Sequence, residues 1–442
     1  MENNFDTIVA IITPLSQGAV GIIRISGDSA FKIASEIFSN KIIDRKICYG
    51  HILDNNKNKL DEVILLPFMA PKSYTGEDVI EIQTHGSIVI INEILELIIS
   101  KGARIAQRGE FTKRAFLNHR IDLSQAEAVL DVIQAKSAKS ASNSLSNLEG
   151  YLSKKIQEIK SSLIEVYSKL IASIDFPEDV KEVDKNYIVS MCNDNILKID
   201  EILSNSKSHN FIRDGFNITL IGKPNVGKSS LFNALLNYSR AIVTEIAGTT
   251  RDTIKETLNL DGYLVNIVDT AGIRKKEEAD TVEKIGIENS LNEIEVSDII
   301  LFLFENSKDE IDEKLLNMAQ NKTKIFVKTK ADLAQTYPND AIEISSKTGL
   351  NIDKLKGLII EKIKTLIPND ATYTTNKRQQ TCLIKAKESL NNALLTSQNE
   401  MDCSDLLAYD LKDSILALDE ITGAVLTDTI LDDIFSNFCI GK

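Results

Sequence analysis

Gly222-Lys-Pro-Asn-Val-Gly-Lys-Ser229 is the stretch on which the reading of this chain turns. Asn217-Ile-Thr-Leu-Ile221, apolar and strand-like, precedes it, and Ser230-Leu-Phe-Asn-Ala-Leu-Leu236, helical in character, follows. Strand, then G-x-x-x-x-G-K-S, then helix is the context of a phosphate-binding P-loop. By average composition the bare pattern arises by chance in roughly one chain in fifty to a hundred of this length, so the flanking elements decide the matter. Gly222 and Gly227 let the backbone turn so that successive N–H groups converge on a phosphate. Lys228 brings charge to the β- and γ-phosphates, and Ser229 offers a hydroxyl to Mg²⁺.

Four further segments carry the nucleotide reading. Leu264-Val-Asn-Ile-Val268 runs into Asp269-Thr-Ala-Gly272, whose Asp reaches Mg²⁺ through water and whose Gly gives its N–H to the γ-phosphate. Gly248-Thr-Thr-Arg-Asp252 stands where a switch loop places a Thr on Mg²⁺. The strand Lys324-Ile-Phe-Val-Lys328 leads into Thr329-Lys-Ala-Asp332, whose carboxylate accepts from guanine N1 and N2 together, a match adenine does not offer. Ala341-Ile-Glu-Ile344 leads into Ser345-Ser-Lys-Thr-Gly349, which closes over the base. Each segment is weak alone, but the ordered set specifies a GTPase. Two departures stand out. Thr329 replaces the usual Asn, which is expected to lose an amide contact to the base edge and to the P-loop and so weaken nucleotide binding. Ile273 follows Gly272 where a Ras-type enzyme carries the water-orienting Gln, so another residue must position the water.

At 442 residues the chain calls for about three domains. With 43% hydrophobic residues it can fill packed cores, yet it has no uncharged apolar run long enough to span a membrane. The opening Met-Glu-Asn-Asn-Phe-Asp lacks the basic and apolar regions of a signal peptide, so a cytoplasmic location is expected. A net charge of −13 argues against a general nucleic-acid coat but leaves room for a local basic patch. The five cysteines are scattered and only Cys48 has a His close by in sequence, His51, too few ligands for a zinc site, so neither that nor a disulfide framework is expected; the internal thiols read as small buried hydrophobes.

Residues 1 to 118 read as an α+β domain without a nucleotide fingerprint. Thr7–Ile12, Val20–Ser26, Asp61–Pro67 and Asp78–Gln83 have strand patterns, and Ile88–Ile99 is an amphipathic helix. Arg24 interrupts an apolar strand, Glu81 alternates within another, and Arg114 and Arg120 flank Ala115-Phe-Leu-Asn118. These charges read either as a sheet-stabilising ion pair such as Arg24–Glu81 or as a pocket for an anionic or pterin-like ligand. From Leu145 through Leu148, Leu152, Ile156, Ile159, Leu163, Val166, Leu170 and Ile174, apolar residues fall in steps of three and four, predicting one amphipathic helix ended by Pro177. A further helix covers Tyr187–Leu203, with Ile188, Ile196, Ile199 and Leu203 inward. The nucleotide domain, 213 to 372, then interrupts an α-helical bundle, with parts at 119 to 212 and 373 to 442. Helices are expected at Arg378–Ser397, Asp402–Leu418 and Thr427–Phe438. Sustained heptads with charged flanks are absent, so a packed bundle is expected rather than a coiled coil. Within the nucleotide domain Asp261-Gly262 marks a hairpin between Thr253–Leu260 and Tyr263–Asp269. Ile434-Phe-Ser-Asn-Phe438 is apolar enough to pin the final Cys439-Ile-Gly-Lys442.

On these residues the chain resembles the MnmE (TrmE) family of tRNA modification GTPases, over essentially its whole length. The likeness rests on Gly21-Ile-Ile-Arg-Ile-Ser-Gly27, Tyr74-Thr-Gly-Glu-Asp-Val-Ile-Glu-Ile-Gln83, Arg108-Gly-Glu-Phe-Thr-Lys-Arg-Ala-Phe-Leu-Asn118, the nucleotide motifs with Ala247-Gly-Thr-Thr-Arg-Asp252, and Phe438-Cys-Ile-Gly-Lys442. The resemblance implies a GTP hydrolase that works with a flavin-dependent partner, MnmG, as a heterotetramer. Together they add an aminomethyl or carboxymethylaminomethyl group to carbon 5 of the wobble uridine of certain tRNAs. It implies a one-carbon donor, 5-formyl- or methylene-tetrahydrofolate, in an N-terminal domain that also makes the homodimer, and no membrane. Its folate contacts carry over to Arg24, Glu81, Arg120 (where a Lys is usual) and Lys442. The GTP contacts carry over to Asn225, Val226, Gly227, Lys228, Ser229 and Ser230, and to Thr244, Glu245, Ile246, Ala247, Gly248, Thr249 and Thr250. Asp269, Thr270, Ala271, Gly272, Lys330, Asp332, Ser345, Ser346 and Lys347 complete that set. Two nucleotide domains meet in this family around a K⁺ that replaces an arginine finger, with ligands at Asn225, Thr244, Ile246 and Thr249. Mg²⁺ falls to Ser229 and Thr250, the catalytic roles to Lys228 and to Glu283, which positions the water, and Cys439 is a possible nucleophile. The other reading is a non-enzymatic GTPase switch in ribosome assembly, which shares the nucleotide motifs but needs neither the N-terminal domain nor the Cys-Ile-Gly-Lys tail. A membrane-remodelling GTPase is disfavoured because no basic amphipathic helix is present.

Overall fold

The computed structural model describes residues 6–223, 225–239, 255–269, 293–306, 313–333, 341–367, 373–398, 404–425 and 427–442. The chain forms two compact units: Met1–Leu130 with Leu148–Val183 and Glu388–Lys442, and Asp131–Asn147 with Asp184–Lys387.

The first unit is built on strands β1 (Ile8–Ile11), β2 (Val20–Ser26), β3 (Cys48–Leu53), β4 (Lys59–Phe68), β5 (Val79–His85) and β6 (Arg104–Ile105). They lie in the order β3-β4-β5-β2-β1-β6, antiparallel except for β1 with β6. Helices α1 (Ala30–Ile37) and α2 (Ile88–Ser100) cover one face, burying Ile33, Ile37, Ile94 and Ile98 on Ile23, Ile25, Ile52, Leu65, Ile80 and Ile82. The side-chain period of two sends Glu81 and Gln83 to the opposite face from Ile80 and Ile82. Register places Arg24 directly across from Glu81. Strand β3, α1 and the short α3 (Glu110–Leu117) are elements the sequence reading did not assign.

The expected continuous helix from Leu145 to Ile174 is two helices. After α4 (Leu123–Gln134) come α5 (Ala138–Leu148) and α6 (Tyr151–Asp175), parted at Gly150, whose φ of 85° suits a residue without a Cβ. Leu145 belongs to the first and is exposed. The inward face of α5 is polar, with Ser140, Asn143, Ser144 and Asn147 buried, and the Asn147 amide donates to the Thr374 carbonyl at 2.7 Å. The remainder of the apolar stripe holds: α6 buries Leu152, Ile156, Ile159, Leu163, Val166 and Leu170.

The second unit holds α7 (Lys185–Asp214) and the nucleotide domain. Its strands are β7 (Phe216–Ile221), β8 (Lys255–Leu260), β9 (Tyr263–Asp269), β10 (Ile299–Phe304), β11 (Thr323–Lys328) and β12 (Ile342–Glu343), in the order β12-β11-β10-β7-β9-β8. All neighbours are parallel except the β8–β9 hairpin, whose turn residues Asp261 and Gly262 both have positive φ, 51° and 86°. Strand β10 is buried at every residue, as a central parallel strand covered on both faces must be. Helices α8 (Lys228–Ser239), α9 (Glu313–Met318) and α10 (Ile352–Leu366) accompany this sheet. The chain then runs through α11 (Lys377–Ser397), α12 (Ser404–Thr422) and α13 (Asp428–Ser436). In the first unit α12 packs on α6 and Lys160 pairs with Asp419, while Phe435 and Phe438 bury against Leu123, Ala126 and Val129. The multidomain mixture of an α+β N-terminal part, helices and an inserted α/β nucleotide domain is as the sequence led one to expect.

Candidate functional sites

The P-loop follows β7 directly. Gly222 was read as a turning glycine, but its φ is not positive. What it requires is space, since a Cβ there would lie 2.4 Å from the Leu303 carbonyl oxygen of β10. The left-handed residues are Asn225 (φ 62°) and Gly227 (φ 104°). Helix α8 then starts at Lys228, presenting its amide end to the loop, as an anion site demands. The Lys228 ammonium donates to the carbonyls of Gly222 (2.6 Å) and Lys223 (2.8 Å), so it is held inside the loop. Ser229 and Ser230 are exposed and Val226 is buried.

At the carboxyl ends of β11 and β12 lies the segment expected to read the base. Asp332 sits in a short 3-10 turn, Ala331–Leu333. The Ser345 hydroxyl donates to Asp332 Oδ1 at 2.8 Å. That hydrogen bond, then the backbone and the nearby Lys347 and Lys330, holds the carboxyl below the usual carboxylate range. Asp332 is therefore an acceptor, as a guanine reader must be. Lys330 has φ 57° and pairs with Glu305 at 2.8 Å, a partner the sequence reading missed because Glu305 belongs to no motif. Ser346 is half-buried and Lys347 exposed. Thr329 brings no amide to the P-loop, as expected, yet a link between the two remains. Its hydroxyl donates to the Val226 carbonyl at 2.6 Å, so a β-branched alcohol makes the link without an amide. Asp269 ends β9. Thr244, Glu245, Ile246, Ala247, Gly248, Thr249, Thr250, Thr270, Ala271, Gly272 and Glu283 lie outside the described residues.

A second cluster lies in the first unit. Arg24 is 8% exposed and grips Glu81 through Nε (2.8 Å) and Nη2 (2.7 Å). Its Nη1 is buried with no partner among the described residues. Tyr74, which the sequence reading passed over, is the centre of the group. The Arg24 guanidinium is 4.8 Å from its ring centroid, that of Arg120 5.2 Å, and the Lys442 ammonium 5.9 Å. Arg120 also donates to the Tyr74 carbonyl at 2.8 Å, and the Tyr74 hydroxyl bonds Thr112 at 2.9 Å. Lys442 is delivered by the tail: Ile440 bridges to Arg108, and Gly109 N–H faces the Cys439 carbonyl at 3.4 Å. Burial, then repulsion from Arg24, pushes the Lys442 ammonium below its ordinary value, against the pull of Glu81. Three cations and one carboxylate around one aromatic ring leave net positive charge, so the arrangement can take an anion.

Arg114 does not join this group. It is 1% exposed, tied to Glu110 (2.9 Å), Glu77 (3.2 Å) and Asp6 (3.1 Å), and so serves the core of the unit rather than a pocket. Cys439 is exposed, whereas Cys48, Cys192 and Cys382 are buried, and burial pushes the Cys192 thiol up to about 12. Cys403 lies outside the described residues. No group of three or more metal-ligating side chains occurs among the described residues.

A P-loop tied through Thr329 to the segment that bears Asp332, on a Ras-like sheet inserted in a larger chain, defines a multidomain P-loop GTPase. The particular family follows from comparison. The model described as "MnmE helical domain" matches residues 123–439, and that of "GTP-binding protein TrmE N-terminus" matches 7–120. The chain is 42% identical over 458 residues to the tRNA modification GTPase MnmE of Streptococcus thermophilus, and 41% over 459 residues to that of Streptococcus pneumoniae, covering 100% of both chains each time. This protein belongs to the MnmE (TrmE) family. Among solved structures it matches the FeoB G domain of Methanococcus jannaschii at 22% identity, covering 34% of this chain and 98% of that one, with a TM-score of 0.25. It matches Era of Aquifex aeolicus at 24% identity, covering 42% and 68%, with a TM-score of 0.27.

Proposed function

We propose that this protein hydrolyses GTP in the service of tRNA modification, adding an aminomethyl or carboxymethylaminomethyl group to carbon 5 of the wobble uridine together with the flavoprotein MnmG, in the cytoplasm. The observation that carries the reading is the Tyr74 cluster standing on the same chain as a P-loop and the segment that bears Asp332. A ribosome-assembly switch has no use for a cluster of three cations around one tyrosine ring. Arg24, with an unpaired buried N–H, fits a ligand bearing acceptors and a carboxylate, as a folate does. Arg24 and Glu81 would grip its polar head, and Arg120 and Lys442 would neutralise its anionic part. The folate, when bound, supplies the one-carbon unit.

In the nucleotide domain Lys228 and the α8 amide end hold phosphate charge, and Asp332 selects guanine. Ser229 and Thr250 would hold Mg²⁺. Asn225, Thr244, Ile246 and Thr249 would hold K⁺ between two paired domains, offering charge where an arginine finger stands in other GTPases. Glu283 would orient the attacking water in place of the glutamine that Ile273 displaces. Residues 1–118 form the homodimer in this reading, with the helical parts 119–212 and 373–442 carrying motion from the nucleotide domain, 213–372.

The test is deletion of the gene followed by mass analysis of wobble uridines in bulk tRNA. Loss of the carbon-5 substituent, restored by the intact gene, is expected. Unchanged tRNA would sink the reading and favour a ribosomal switch.

A further inference from the structure

Thr329 occupies the place where GTPases usually carry Asn, and its surroundings account for its single hydroxyl hydrogen. Oγ1 stands 2.6 Å from the Val226 carbonyl oxygen and 3.3 Å from that of Phe304. Both of those atoms are acceptors only, so the hydroxyl can only donate, and it has one hydrogen. Its backbone N–H also goes to Phe304, at 2.9 Å. The side chain is 4% exposed and packs under the P-loop, with its Cβ 3.7 Å from where a Cβ on Gly227 would be. Position 329 thus ties three pieces together: the end of β10, the P-loop, and the segment bearing Asp332.

We propose that Thr329 is a positioning residue that clamps the base-reading segment to the P-loop and gives no hydrogen to the base, so that the N7 edge of guanine goes unread at this position. This rests on the GTP-binding reading above. Guanine presents donors at N1 and N2, which suit the Asp332 carboxylate, and acceptors at O6 and N7, which need donors. An Asn at 329 carries two amide hydrogens and could hold the Val226 carbonyl with one while offering the other to N7. A Thr engaged with backbone carbonyls has none left to offer. The departure from Asn therefore keeps the architectural half of the role and drops the recognition half.

The experiment measures equilibrium binding of GTP and of 7-deaza-GTP, in which N7 is replaced by a C–H group, to the full-length chain. Wild type is expected to bind the two within about twofold, as befits an edge making no hydrogen bond. Thr329→Asn is expected to tighten GTP by about fivefold and to prefer it over 7-deaza-GTP by a similar factor, the size of one net hydrogen bond. Thr329→Val, which leaves the Val226 carbonyl without its donor while Phe304 keeps the backbone N–H, is expected to weaken both nucleotides about tenfold with their ratio unchanged. Thr329→Ser, which keeps the hydroxyl, retains wild-type binding of both. Circular dichroism melting of each variant separates a local loss from an unfolded chain, and Thr329→Ser and Thr329→Asn test the idea should the Val variant fail to fold. A wild-type preference for GTP over 7-deaza-GTP of about tenfold would overturn the unread edge. A folded Val variant with wild-type affinity would overturn the clamp. A wild-type chain that binds no guanine nucleotide would overturn the GTPase reading, and this inference with it.

Discussion

Single residues in this protein often do something other than their type suggests. Arg24 and Arg114 are both buried arginines on the same unit, yet Arg114 is held by three acidic residues, Glu110, Glu77 and Asp6, while Arg24 pairs with Glu81 and faces the Tyr74 ring. That difference, invisible in the sequence, separates a structural ion cluster from a binding group. His85 offers a simpler case. Its ring Nδ1 lies 2.6 Å from the buried Asp61 carboxylate, which also accepts its backbone N–H at 2.8 Å. The hydrogen bond and charge of Asp61 raise the imidazole above its ordinary 6.5. A His raised on folding adds stability that is fully present below pH 6.5 and fades as the pH climbs through the raised value. An NMR titration is expected to place the His85 midpoint above that of the unfolded chain, and Asp61→Asn to bring it back. A midpoint indifferent to Asp61→Asn would refute the pairing.

Among the elements, the C-terminal segment is the one whose position matters beyond its own stability. Helix α13 and Phe438 anchor it by apolar burial, and only then do Gly441 and Lys442 reach the Tyr74 cluster. Gly441 has φ 97° and a Cβ there would lie 2.8 Å from the Ile11 carbonyl oxygen. Gly441→Ala must therefore shift the tail while leaving the buried aromatics in place. Isothermal titration with 5-formyl-tetrahydrofolate is expected to show about tenfold weaker binding, matching the loss of one charge-assisted contact, with the melting curve little changed. Undiminished affinity would mean that Lys442 takes no part in holding the ligand. Element boundaries were legible where the cause was local. The β8–β9 turn and the α6 stripe follow from neighbouring residues, whereas the split at Gly150 and the polar inward face of α5 depend on what each helix meets.

At the scale of the whole molecule, Ile273 stands after Gly272 where a Ras-type enzyme carries its water-orienting Gln, so another group must complete the hydrolytic set. If paired domains and a monovalent ion complete it, turnover of GTP should be faster in K⁺ than in Na⁺ at equal ionic strength. Glu283→Ala should lose turnover, by about a hundredfold or more as befits removal of a water-positioning carboxylate, while GTP still binds. Equal rates in the two salts would rule out the ion as part of the machinery.

The GTPase identity and many of the strands and helices could be read from the chain because P-loop, hairpin and amphipathic stripe are each written in consecutive residues, where backbone geometry and side-chain period act at short range. Arg24 meeting Tyr74, Arg120 and Lys442, or Thr329 meeting Val226, joins residues far apart in the chain. Such meetings depend on strand register and on where the tail is anchored. They follow from packing the entire core, and no local pattern encodes them.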